Sequence, residues 1–139
     1  MKRIVIGLMA VVAMACKIEP KEELTAQQIV DNAIADSGGE LYNSHATSFV
    51  FRDRTYTSGN TNGKKVLKRT FQLDSVTITD VKNGNDFERY VNDSLVSVPD
   101  SMAVRYGNSV NSVHYFARLP YGLNDAAVNK ELLGKENIG

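Results

Sequence analysis

Scarcity says more about this chain than abundance does. Its 139 residues include one cysteine, two histidines and no tryptophan, and sixteen basic residues face sixteen acidic ones. A single thiol rules out an internal disulfide and offers no Cys–His pair for nucleophilic catalysis. Balanced charge argues against nucleic acid, which demands a basic face. No glycine-rich phosphate loop, Ser-His-Asp arrangement or zincin motif is present. The one long apolar run, from Ile4 to Val12, is too short to span a bilayer, which takes about 20 residues.

What is present begins at the N-terminus. Lys2 and Arg3 precede the apolar run, and Ala13-Met14-Ala15 leads to Cys16. A basic start, a short hydrophobic stretch and small residues before a cut point make a secretory leader. A cleavage site between Ala15 and Cys16 resembles a bacterial lipobox, in which the cysteine takes lipid and becomes the new N-terminus. Ala13 stands where leucine is usual. The alternative is an ordinary leader with a coincidental cysteine. The chain is therefore expected to comprise a leader over 1–15, a lipidated tether over 16–24 that contains Pro20, and one domain over 25–139. Losing Lys2 and Arg3 leaves fourteen basic residues against sixteen acidic ones.

The domain opens with a helix signal. Thr25 and Gln28 form a capping box, Leu24 can staple to Ile29, and Ala26, Ile29, Val30, Ala33 and Ile34 make one apolar stripe. Gly38-Gly39 ends the helix, which is expected over Ala26 to Ser37. From Thr47 the period changes to two, with turn signals at Asn62-Gly63, Asn83-Gly84 and Asn92-Asp93. Strands are expected at 48–57, 65–73, 75–82, 86–91 and 94–98, with one long bent strand over 64–82 as the alternative. A second helix starts near Asp100 as N-cap, with Met102, Tyr106, Val110, Val113 and Ala117 on one face. A short helix follows from Asn124 or Asp125 through Leu132 and Leu133. The end of the chain leaves a sheet edge open, as in a truncated version of a longer protein, or as in a short natural C-terminus.

The lipobox, the helix ending in Gly-Gly, the hairpin meander and the stretch Asn111-Ser112-Val113-His114-Tyr115-Phe116-Ala117-Arg118-Leu119-Pro120-Tyr121-Gly122-Leu123 together resemble a family of Bacteroidota lipoproteins of unknown function. That family looks related to the LolA/LolB-like lipoprotein carriers. The resemblance implies an α+β fold, a curved antiparallel meander or half-barrel with helices packed on its concave face around an apolar cavity. It implies no catalytic residue.

Individual residues add little chemistry. His45 and His114 have no acidic or cysteine partner at metal-ligand spacing, so neither a metal nor a cofactor is expected. Arg52-Asp53-Arg54 and Lys64-Lys65 with Lys68-Arg69 read as solvated faces and edge protection, with a phosphate or headgroup site as the sharper alternative. Phe49, Phe51, Phe71, Tyr115, Phe116 and Leu119 are candidates for core, or for the lining of an apolar cleft. Asp-Ser followed by an apolar residue at Ser75, Ser94 and Ser101 resembles a Bacteroidota O-glycosylation acceptor, although Asp-Ser also makes turns and caps.

These features point to a non-enzymatic envelope lipoprotein, held on the membrane by acyl chains on Cys16 and binding a lipid or other apolar ligand, with no nucleic-acid partner. The alternative is a hydrolase-like enzyme using His114 with Asp53 or Glu88. Lys17 after the cysteine favours the outer membrane, and Glu19, Glu22 and Glu23 hint at surface export. Each buried methylene contributes ~0.8 kcal/mol, so several chains anchor stably where one does not. Cys16→Ser is expected to abolish palmitate incorporation and cleavage before residue 16. A variant that is still cut there and stays as tightly membrane-bound as wild type would overturn the lipoprotein reading.

Overall fold

A computed structural model describes residues 23–39 and 41–137. The leader over 1–15, the Ala15–Cys16 cleavage site and tether residues 16–22 lie outside the described residues. Helix α1 (Ala26–Asp36) starts as its capping box dictates. Gln28 N donates to Thr25 Oγ1 at 3.2 Å, and Thr25 N donates to Gln28 Oε1 at 2.8 Å. Leu24 and Ile29, the expected staple, are 48% and 43% exposed. Gly38 and Gly39 take positive φ and end the helix. One further turn, α2 (Leu41–Ser44), leads into the sheet.

The fold is α+β, an open, curved, six-stranded antiparallel sheet with helices packed against it. The strands are β1 (Thr47–Phe51), β2 (Arg54–Thr61), β3 (Lys64–Leu73), β4 (Val76–Asn83), β5 (Asp86–Val91) and β6 (Ser94–Val96), in sequence order across the sheet. Every connection is a two-residue hairpin. Arg52-Asp53, Asn62-Gly63 and Asn92-Asp93 all have positive φ at both turn positions, the requirement of the turn whose twist matches the strands. The expected strand over 48–57 is thus two strands folded at Arg52-Asp53, a turn without the usual Gly. The region 64–82 is also a hairpin, with Asp74 at positive φ, and not one bent strand. The β4–β5 turn is Gly84-Asn85, one residue later than the expected Asn83-Gly84, because Asn83 pairs with Asp86.

Helix α3 (Asp100–Ala117) crosses β3, β4 and β5. Its N-cap is Pro99, whose carbonyl accepts from Met102 and Ala103, so Asp100 is the first helical residue and not the cap. The fully buried line on α3 is Gly107, Val110 and His114, whereas Ala117 at the end of the expected stripe is exposed. Gly107 faces the sheet, where a Cβ would make ordinary contact with Phe87 at 3.6 Å and Lys82 at 3.7 Å. After α3 comes a 3-10 turn (Tyr121–Asn124), and 128–137 carries no regular element. The expected helix through Leu133 does not form; Leu133 is 91% exposed and has no apolar surface to pack on.

The layer between sheet and α3 is unusually polar. Tyr56, Leu67, Ile78 and Val110 are buried there, but so are Ser58, Arg69, Asp80 and His114. Arg69, Asp80 and Arg89 stand opposite one another on β3, β4 and β5. Asp80, fully buried, accepts from Arg69 Nη2 at 2.5 Å and from Arg89 Nε at 2.7 Å. Arg69 Nη1 donates to Ser109 of α3 at 2.9 Å, and the Arg89 guanidinium lies 3.8 Å from the centre of the Tyr106 ring. Arg69, read from sequence as part of a solvated basic face, is therefore an interior residue. Its odd register position on β3 turns it beneath the helix.

Removing one partner from a buried ion pair costs about 3–5 kcal/mol, whereas replacing the whole group with apolar residues is often near neutral. Asp80→Asn is expected to lower the thermal midpoint by more than about 10 °C, since 1 kcal/mol moves a domain of this size by about 4–8 °C. The triple change Arg69→Met, Asp80→Leu and Arg89→Met should recover most of that loss. Thermal melts followed by circular dichroism check both.

Candidate functional site

A cleft of about 540 Å³ opens where β3, α1, α3 and the 3-10 turn meet. Ligand sites commonly fall between about 300 and 1,000 Å³. Alternation on β3 sends Lys65 and Leu67 to the helix side together with Arg69. On α3, Asn111, His114, Tyr115 and Arg118 recur at i, i+3, i+4 and i+7, which places all four on the wall of the cleft. Ile34 comes from α1, and Tyr121, Gly122 and Asn124 from the 3-10 turn.

The 3-10 turn is held from both sides. Asn124 Nδ2 donates to Asp31 of α1 at 2.7 Å, and Gln27 donates to Asn124 Oδ1 at 2.8 Å. Gly122 lies flat against Tyr115: a Cβ there would come within 2.6 Å of the ring. Arg118 donates from Nη2 to the Tyr42 carbonyl at 3.1 Å and lies over Tyr121 at 4.8 Å, while Tyr42 and Tyr121 stack at 5.1 Å. These contacts fix the Arg118 guanidinium at the end of the cleft.

The electrostatics are one-sided. Neither Lys65 nor Arg118 is paired with a carboxylate among the described residues. Burial, with the charge of Arg118 added, pulls the Lys65 amine down to about 8. His114 is 1% exposed. Its Nε2 lies 3.2 Å from the Lys68 carbonyl, an acceptor, so Nε2 carries the proton. Its buried Nδ1 is then an acceptor, and it has no partner among the described residues. Two rings meet the imidazole edge-on, Phe49 and Tyr56, each at 5.6 Å.

The six aromatic and aliphatic candidates do not converge. Tyr115 lines the cleft. Phe49 stacks on Tyr56 at 5.4 Å beneath His114. Phe71 lies under the guanidiniums of Arg54 and Arg69. Phe51, Phe116 and Leu119 are exposed, Phe116 by 71%. His114 also fails to meet its candidate acidic partners. Asp53 sits in the exposed β1–β2 turn. Glu88 is exposed on the other face of the sheet, where it accepts from Tyr90. His45, beside Ser44, is exposed, and the described residues contain no group of three acidic, histidine or cysteine side chains placed for a metal. Ser75, Ser94 and Ser101 are all exposed, in the β3–β4 turn, at the start of β6 and in the first turn of α3. Sequence reasoning singled out Lys65 within a basic run but missed Asn111 and Arg118, which meet it in the cleft. The signal was the i, i+3, i+4, i+7 row of Asn111, His114, Tyr115 and Arg118 along α3 and its C-cap.

Burial lowers the His114 pKa; the Lys68 carbonyl opposes this and the nearby charges of Lys65 and Arg118 add to it. A depressed histidine contributes stability above the ordinary value of about 6.5 and loses it as pH falls, because the unfolded chain takes up a proton that the folded one refuses. Stability should therefore fall between pH 7 and 5, by at most about 1.4 kcal/mol per pH unit for this one group. His114→Gln should be less stable at pH 7.5 but show a shallower slope below 6.5. Urea titrations at a series of pH values measure the difference.

Compared with known protein families, with characterised proteins and with solved structures, the chain matches none.

Proposed function

We propose that this protein is a non-enzymatic, lipid-anchored lipoprotein of the cell envelope, attached through Cys16 to the outer membrane, that holds an amphipathic ligand in the cleft between β3 and α3. The observation that carries this reading is the cleft itself: about 540 Å³, lined by Ile34, Leu67, Tyr115 and Tyr121 together with polar groups such as Lys65, Asn111 and Arg118. Six of its twelve lining residues are polar or charged, a mixed composition that suits an amphipathic ligand. The leader and Cys16 support the anchoring. The separation of His114 from Asp53 and Glu88 supports binding over hydrolysis. An open, curved antiparallel sheet with helices against it supports kinship with the LolA/LolB-like carriers as fold-level analogy.

The mature protein, purified from membranes, should yield a co-purifying amphipathic molecule when extracted and examined by mass spectrometry. Gly122→Leu, which forces the 3-10 turn off Tyr115, should reduce the yield severalfold while the anchor remains. Protein that is folded, lipidated and consistently empty would remove the carrier function and leave an interaction role.

A further inference from the structure

The polar side of the cleft has a chemistry of its own. Lys65 and Arg118 line the same cleft, and neither is bound to a carboxylate among the described residues. The one acidic residue that lines the cleft, Asp125, is exposed, and its Oδ1 accepts from Ala127 N at 3.0 Å. Holding two like charges together in one half-buried hollow is unfavourable, and an anion between them relieves it. Arg118 uses one N–H on Tyr42, and a guanidinium has five. Two cations match a dianion better than a carboxylate.

Asn111, one turn before His114 on the same wall, offers an amide with no partner among the described residues. Resting on the reading of the cleft as a binding site, we propose that it recognises a phosphate monoester, with the phosphate between Lys65 and Arg118. A lipid headgroup and a soluble phosphate ester share this chemistry.

The test uses the mature lipoprotein in nonionic detergent with three probes: glycerol phosphate, lysophosphatidate, and the uncharged monoacylglycerol of the same chain. Lysophosphatidate should bind at least about tenfold more tightly than monoacylglycerol, the ratio for one charge-assisted contact. Glycerol phosphate binding as tightly as lysophosphatidate identifies a soluble ester as the source; weaker binding identifies a lipid. Lys65→Gln should erase about tenfold of the preference, and Arg118→Lys, which keeps the charge, should retain more of it than Arg118→Gln, which also loses the contacts to Tyr42 and Tyr121. Lysophosphatidate affinity should fall between pH 7 and 9 as Lys65 loses its proton near 8. Arg118, His114 and Asp125 share the cleft, and a flat profile in Lys65→Gln isolates Lys65 from them. Equal affinity for lysophosphatidate and monoacylglycerol overturns the phosphate while leaving an apolar ligand site standing. Failure of all three probes overturns the phosphate too, and the co-purification experiment then decides the carrier reading separately.

Discussion

The row Arg69–Asp80–Arg89 is the constraint on which the other parts depend. It joins three adjacent strands at one register and ties the sheet to α3 through Ser109 and Tyr106. Side chains alternate across a sheet, so a slip of β4 by one residue would send Asp80 to the uncovered face. Two guanidiniums would then face each other under the helix with no anion between them. Apolar neighbours tolerate an exchange of one methyl for another; this row tolerates no other pairing. Desolvating three charges is expensive, and the return is a single register and a single seat for α3.

The same seat aims the cleft. Once α3 is fixed at Ser109 and Tyr106, its rotation is set, and the row Asn111, His114, Tyr115 and Arg118 must come up against Lys65 and Leu67. The residues that seat α3 and the residues that line the cleft thus lie on consecutive turns of one element. The polar character of the interface, which lowers the apolar area available to the core, is the same property that supplies a cleft with charge.

Much of this architecture was legible because local chemistry and tertiary structure agree. The capping box of Thr25 and Gln28 starts α1, and Asn62-Gly63 and Asn92-Asp93 turn the chain where turn geometry requires positive φ. Arg52-Asp53 was illegible because arginine is not a usual choice at positive φ; the pairing of Phe49 with Tyr56 and of Thr47 with Ser58 imposes that turn from outside. Arg69 was misread for a related reason. Its neighbours Lys64, Lys65 and Lys68 suggested a wet strand, and only the pairing with Asp80 and Arg89 explains its burial. The cleft gathers residues from positions 34, 65 and 111–125, and no window along the sequence contains them together.

A sheet whose strands lie in the order of synthesis has a further consequence for how the molecule comes into being. Each hairpin needs only chain that has already arrived, so pairing can proceed from β1 to β6 as a polypeptide is delivered N-terminus first, with little loop-closure entropy at any step. Until α3 follows, the charged row lies open to water and incurs no desolvation cost. The helix arrives after the sheet and closes over it. Assembly of this domain therefore has a direction: the step that seals its interior sets one wall of the cleft, and the 3-10 turn that follows completes it.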